Sequence, residues 1–395
     1  MRRALLLFGL PNALFSAAMV QHSTSLGLAL VYLVCAPVAL LACLRVLTLV
    51  GLPARHGWLA VSAFLVVAAA AFVVVYPIAD ARKAFGGGTD ADDALDLAVR
   101  SLLRGEYPYR ERTYLNNPIT PLPGWIALAT PFVVLLGRAA YLNVFWLAVW
   151  LVVLAAVARS AWLAAAFATL TFVFFPGVAI TFLNGSDSFA SVVAICLLVV
   201  LPKNQKNVPW LALAVATGVV LSSRFNVVLL LPVLASVVGR RRGVGTALVY
   251  TGVAAAVWLA VSFTPWLVDS AGFSPLHTYG MLGRFDTVVP FFGLLVPAAT
   301  GLVALGLGWR VLRGSLDPWL AMALVLTLPV GCDFLAELAV SRRLDLWPLV
   351  YGLMATPLWI GATVSDVARL LSDARAEDQP PLWRLAARSA SASRS

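Results

Sequence analysis

Charge is what this sequence has least of. Only 12% of its 395 residues are Asp, Glu, Lys or Arg, while 61% are hydrophobic, and the mean hydropathy is +0.92. Soluble domains carry about twice that share of charge. The chain has too little polar surface to sit in water, which excludes a soluble globular fold. Lysine is scarce as well: Lys83, Lys203 and Lys206 are the only three among 28 basic residues. The formal net charge of +10 therefore rests on arginine, spread in short clusters between apolar segments. Membrane topology signals are distributed in this way, and no nucleic-acid partner is expected. The Arg and Ala bias fits a GC-rich bacterial genome. The four cysteines, Cys35, Cys43, Cys196 and Cys332, fall in apolar segments, with neither metal spacing nor a disulfide framework. Nucleophile elbow, Walker A loop, dinucleotide fingerprint and zincin motif are missing too.

What is present is a series of apolar runs. They fall at 4–20, 26–44, 58–78, 119–137, 139–158, 161–181, 186–201, 208–222, 225–239, 244–267, 288–308, 318–334 and 344–363. Many are long enough to cross a bilayer. Residues 1–20 lack a small-residue cleavage site before the next run and read as a first span, not a leader. The expected fold is all-α, a polytopic transmembrane helical protein in the plasma membrane. If the run 119–137 crosses fully, Lys203, Lys206, Arg240–Arg242 and the Arg-containing tail all land outside. If it dips and returns, or lies along the interface, almost every basic cluster is inside. Pro118, Pro121, Pro123 and Pro131 favour the second arrangement, because proline removes backbone donors. Irregular backbone at membrane depth needs protein or a watery cavity around it. The expectation is about twelve full spans, with both termini cytoplasmic and the loop 79–118 external. Residues 1–364 form the membrane domain, with 119–137 re-entrant or interfacial. Residues 365–395 read as a polar cytoplasmic tail, expected to be disordered.

The loop 79–118 is the one substantial polar segment. It contains a helix: Thr89 or Asp90 can cap it, and acids occupy its first turn. Ala91, Ala94, Leu95, Ala98, Val99, Leu102 and Leu103 recur at helical spacing. Gly105 ends the helix and Pro108 stops it. Such an amphipathic helix is expected on the membrane surface. Gly86–Gly88 reads as a hinge, lacking the Lys of a phosphate-binding loop. Asp90, Asp92 and Asp93 are the candidate catalytic carboxylates, since a carboxylate at a membrane-facing cavity can act as general base toward a hydroxyl. Capping and solvated charge, including an Asp96–Arg100 pair, are the simpler reading of Asp93 and Asp96 and the alternative for Asp90 and Asp92.

Thr89-Asp90-Ala91-Asp92, then Gly105-x-x-Pro108-Tyr109, Arg112-Thr113-Tyr114 and Thr120-Pro121 resemble the first lumenal loop of the GPI mannosyltransferase I family. More broadly they resemble the GT-C superfamily of membrane glycosyltransferases. The resemblance covers residues 89–124, and more spans precede the loop here than in that family. It implies inverting transfer of a sugar, mannose or another hexose, from a polyprenyl-phosphate donor. The acceptor would be a lipid-linked or cell-envelope glycan at the external face. Asp90 would be the base or would orient the acceptor. Asp92 would be its neighbour, with a divalent metal at Asp90/Asp92 left open and no other cofactor implied.

Other polar residues join the candidate donor- and acceptor-binding set. Tyr109 and Arg112 belong to the loop motif. Asn184 and Asp187 lie between two apolar runs on the loop's side, where an ordinary capped turn is the simpler alternative. Arg224 suits a donor phosphate, since guanidinium pairs with phosphate oxygens bidentately; a snorkelling span-end arginine is the alternative. His277 and Arg284 lie in the external loop 269–287, where Arg284 can simply pair with Asp286. Arg342 and Arg343 stand against the inside rule and can meet lipid phosphate. A transporter or lipid flippase, and a non-catalytic scaffold with the same fold, are the competing readings. The first would call for inverted repeats and mid-span ionisable residues.

Overall fold

The computed structural model describes residues 2–49, 56–85, 88–204 and 209–377. Arg55, Gly86, Gly87, Lys206 and residues 378–395 lie outside them, and with them most of the expected hinge and tail. Among the described residues the architecture is all-α: α1 (Arg2–Ser23), α2 (Leu26–Leu49), α3 (Gly57–Ala81), α4 (Ala91–Leu103), α5 (Pro123–Leu136), α6 (Leu142–Ala158), α7 (Ala161–Phe174), α8 (Pro176–Leu183), α9 (Ser188–Asn204), α10 (Trp210–Leu221), α11 (Leu231–Arg242), α12 (Val244–Val268), α13 (His277–Gly283), α14 (Phe292–Leu312), α15 (Pro318–Ser341) and α16 (Thr356–Glu377). The one extended contact described is an isolated bridge between Arg112 and Pro118. The region after Ser365, expected to lack structure, continues as helix to Glu377.

Six helices are long and apolar enough to cross a membrane, or seven if α7 and α8 count as one broken span. The apolar runs led to an expectation of about twelve. Several runs fold as shorter helices, Pro123–Leu136, Ser188–Leu201 and Trp210–Leu221. The run 225–239 divides into a 3-10 helix, Phe225–Leu230, and the start of α11. The break between α7 and α8 is a 91° bend. Its cause is Pro176, which lacks an N–H and forces Phe175 out of helical conformation, to φ −119° and ψ 80°.

Helix α5 is 14 residues long, which is about 21 Å against a hydrocarbon core of about 30 Å. Its N-terminus docks head-to-tail on the C-terminus of α10. The Leu122 N–H donates to Ser223 O and the Trp125 N–H to Ser222 O, both at 3.0 Å. The Gly124 N–H donates to Ser222 Oγ at 3.2 Å. The unpaired donors of one helix thus meet the unpaired acceptors of another, with aligned dipoles. Only glycine fits between them: a Cβ on Gly124 would lie 2.6 Å from Ser222 O and 2.8 Å from Ser222 Cβ.

Helix α4 buries Ala94, Leu95, Ala98 and Val99 against α5 and the following turn. Its expected apolar stripe therefore covers protein and not lipid. Leu102 and Leu103 alone continue outward, 48% and 62% exposed. Gly105 follows the helix at φ +73°, the left-handed position that glycine fills without strain. Gly124→Ala should lower the thermal midpoint through overpacking of about 1–3 kcal/mol. Gly245→Ala, at a position with open space around it, should be neutral or slightly stabilising. Equal effects at the two sites would contradict the docking geometry.

Candidate functional site

The acidic loop residues fall into two groups. Asp80, Asp93 and Asp96 are neutralised by Lys83 and Arg138. Lys83 Nζ lies 2.8 Å from Asp93 Oδ1 and 3.2 Å from Asp80 Oδ1. Arg138 reaches Asp80 at 2.9 Å and Asp96 at 3.2 Å. Asp96 also accepts the Ala139 N–H at 2.7 Å, and its expected pairing with Arg100 is present at 3.7 Å. This lattice clamps α4 to the end of α3 and the start of the turn before α6. Asp93 is bound into it as a salt-bridged anchor and does not stand free as a base.

Asp90 and Asp92 are different. Two residues apart at a helix start, they do not share a face. Asp90 occupies the cap position without capping; Thr89 Oγ1 instead accepts the Ala91 N–H. The half-buried Asp90 carboxylate turns to the loop, where Oδ2 accepts from Thr113 Oγ1 at 2.9 Å and Asn117 Nδ2 at 2.7 Å. Among the described residues Oδ1 has no partner. Asp92 turns inward and is 2% exposed. The Tyr76 hydroxyl donates to its Oδ2 at 2.6 Å, while Oδ1 is buried without a partner. Burial pushes its carboxyl up to about 7; the Tyr76 hydrogen bond opposes this, and the charges of Asp93, Asp80 and Asp96 add to it. The two carboxylates considered as a metal pair thus turn to different neighbours. Among the described residues no group of three or more His, Cys, Asp or Glu side chains is placed to hold a metal ion.

The wall beside Asp92 is the turn 184–187. Gly185, at φ +92°, leaves no room for a side chain: a Cβ would lie 2.7 Å from Tyr76 and 3.1 Å from Asp92 Oδ2. Two residues on, Asp187 is 1% exposed. Arg224 Nη2 donates to both of its oxygens, at 2.6 and 2.8 Å. Trp125 Nε1 donates to Oδ2 at 2.7 Å. Arg224 Nη1 donates to Thr120 Oγ1 at 3.4 Å, which leaves its second N–H, and Nε is buried without a partner. Asp187, Arg224 and Asp92 therefore belong to one neighbourhood.

Tyr351, 59% exposed on the 3-10 helix Trp347–Ala355, lies within electrostatic reach of Asp333, Arg284, Asp90 and Arg224. Part of that surrounding charge is a second ionic cluster. There Arg284 pairs with Asp333 and Glu337 of α15, each at 3.2 Å. The expected Arg284–Asp286 pair is not formed; Asp286 instead accepts the Gly293 N–H. Sequence reasoning missed Asp80, Tyr76, Lys83, Trp125, Arg138, Asp333, Glu337 and Tyr351. Asp333 and Glu337 carried a usable signal, being acids within a membrane-length apolar helix.

The other candidates serve the scaffold or stand apart. Tyr109 is buried and its hydroxyl donates to Pro121 O at 3.1 Å, so it braces the loop and does not face a ligand. Arg112 is exposed and donates to Asn116 O at 3.0 Å. Asn184 closes its own turn, accepting the Ser186 N–H at 3.1 Å. His277 is exposed at the start of α13, with no hydrogen bond described.

The Asp92 environment predicts a pH-dependent stability. Its folded-state value is raised above the ordinary 3.9 or so, so the fold favours the neutral acid. That contribution is complete below about pH 4 and is lost as pH rises through about 7. Asp92→Asn mimics the neutral form and keeps an acceptor for Tyr76. It should raise the unfolding free energy at pH 8 by an amount on the order of 4 kcal/mol, and flatten the stability profile between pH 4 and 8. A variant with the parent's profile would contradict this assignment.

Comparison with protein families, with characterised proteins and with solved structures found no match for this chain.

Proposed function

We propose that this chain is a membrane glycosyltransferase of the GT-C type. It transfers a hexose, such as mannose, from a polyprenyl-phosphate donor to a hydroxyl of a lipid-linked or cell-envelope glycan, with inversion. The observation that carries the reading is the gathering of Asp90, Asp92, Asp187, Arg224 and Tyr351 at one end of the helices. In this reading α1, α9, α10, α11 and α16 join the seven candidate spans to make about twelve crossings, with α5 re-entrant or interfacial. The termini are then cytoplasmic and the loop 79–118 lies at the external face of the plasma membrane, in keeping with the arginine clusters.

Each group has a role in that chemistry. Asp90 Oδ1 takes the proton of the acceptor hydroxyl as its oxygen attacks the anomeric carbon. Thr113 and Asn117 hold Oδ2 and so aim the other oxygen. The bond from the anomeric carbon to the phosphate oxygen breaks, and the electron pair leaves with the polyprenyl phosphate. Arg224, with Nη2 committed to Asp187, meets the phosphate through the remaining N–H of Nη1, where charge grows as the bond breaks. Asp92 is a positioning residue: buried and bonded to Tyr76, it fixes the helix start on which Asp90 sits. Arg284 and Tyr351 are assigned a supporting part in binding, through their charge and hydroxyl within electrostatic reach of this group.

A transporter or flippase draws on a separate observation, the ionic cluster of Arg284, Asp333 and Glu337 on a membrane-length helix. The enzyme reading is favoured because Asp90 is half-buried on a polar loop with an oxygen that has no partner among the described residues, where an acceptor hydroxyl can be met.

Asp90→Asn should reduce transfer from a polyprenyl-phosphate hexose in isolated membranes by about 10²–10⁴-fold, the range for loss of a general base. Protein levels should be unchanged, since Asn keeps an acceptor for Thr113 and Asn117. Undiminished turnover would remove Asp90 as the base.

A further inference from the structure

A second charged feature lies at the other end of α14 and plays no part in the chemistry above. Helix α11 ends in Arg240, Arg241 and Arg242, and α14 ends with Arg310 in its last turn and Arg313 just beyond. All five are exposed. Small residues bring the two ends together. A Cβ on Gly308 would lie 2.9 Å from Pro232 O, and one on Gly239 would lie 3.0 Å from Leu312. The Arg240 guanidinium lies across the turn at Gly314, whose Cβ position is 3.2 Å from Nη2. The Arg313 guanidinium sits over the Trp309 ring, 4.4 Å from its centroid.

Like charges gathered in this way repel, and an opposite charge nearby is what relieves them. Among the described residues the acid that follows in sequence is committed elsewhere. Asp317, the acid next along the sequence, caps α15 at Trp319. It also accepts from Ser365 and pairs with Arg369 at 2.9 Å. Among the described residues Arg240, Arg241, Arg310 and Arg313 have no acidic partner. Their depth identifies the missing anion. Helix α14 is one of the membrane-length helices and ends at Leu312, which puts Arg310 and Arg313 at the level of lipid headgroups. Trp309 is 53% exposed and lies one turn inward, where aromatic side chains mark the bilayer interface. Guanidinium groups pair with phosphate oxygens in bidentate fashion.

We propose that Arg240, Arg241, Arg310 and Arg313 form a binding site for the phosphate headgroup of an anionic phospholipid, with Trp309 setting its depth. The site is independent of the glycosyltransferase reading.

The test uses the full chain in nanodiscs of phosphatidylcholine alone or with added phosphatidylglycerol. Phosphatidylglycerol should raise the thermal midpoint and stay bound through delipidation, as read by mass spectrometry. Each arginine changed to glutamine should lower retention about fivefold at low salt. High salt should weaken the effect in the parent. The fourfold variant R240Q/R241Q/R310Q/R313Q should bind no more phosphatidylglycerol than phosphatidylcholine. If that variant does not fold, the single variants R310Q and R313Q, at exposed positions, carry the same comparison. Equal phosphatidylglycerol retention by parent and variants would overturn the proposal. So would an equal midpoint shift from inorganic phosphate, since the site would then take a free anion and not a lipid.

Discussion

Everything at the candidate site depends on one buried carboxylate. Asp187 is 1% exposed, and taking an ionised carboxylate out of water costs several kcal/mol unless it is paired and hydrogen-bonded. Arg224 and Trp125 supply three contacts between 2.6 and 2.8 Å. The acceptor and its two donors come from three separate parts of the chain: Asp187 from the turn before α9, Arg224 from the segment after α10, and Trp125 from the first turn of α5. Satisfying Asp187 therefore docks all three at once. The same docking seats α5 on the end of α10 and holds Gly185 against Asp92. A buried ion pair of this kind adds little net stability over an apolar replacement. What it fixes is geometry, and the spare donors of Arg224 are aimed as a result.

Around this pair the acids are sorted by their surroundings. Asp93 and Asp96 have cations and become structural. Asp92 has burial and a tyrosine hydroxyl, so it tends toward the neutral form near pH 7. Asp90 alone keeps partial exposure and an oxygen without a partner among the described residues. Four carboxylates within seven residues thus have different tasks, because α4 turns each toward a different neighbour. Environment, more than residue type, decides which can move a proton.

Much of this was legible in the sequence. The apolar runs, the helix from Ala91 to Leu103 with its glycine stop, and the short proline-led α5 follow from periodicity and backbone chemistry. The Asp96–Arg100 pair follows from helical spacing. Asp187 and Arg224 could be read as sharing the loop's side, but not as touching. That contact joins residues 37 apart, and nothing local announces it. Arg138 and Tyr76 escaped for the same reason: each acts through a partner that only packing brings near, whereas Lys83 also has a local partner in Asp80. The crossing count carries a different ambiguity. An apolar run of 12–17 residues has the composition of a span but, once folded, can be a short helix against its neighbours, as α5, α9 and α10 are.

The central claim is that Asp187 and Arg224 act as one unit holding the site together. A double-mutant cycle with Asp187→Asn and Arg224→Gln, read by unfolding of the full chain, tests it most directly. Each single change should cost about 3–5 kcal/mol, because it strands a buried charge or its donors. The double variant should lose less than the sum, by at least about 1.5 kcal/mol. Strictly additive losses would contradict the account, because the two residues would then stabilise the chain independently.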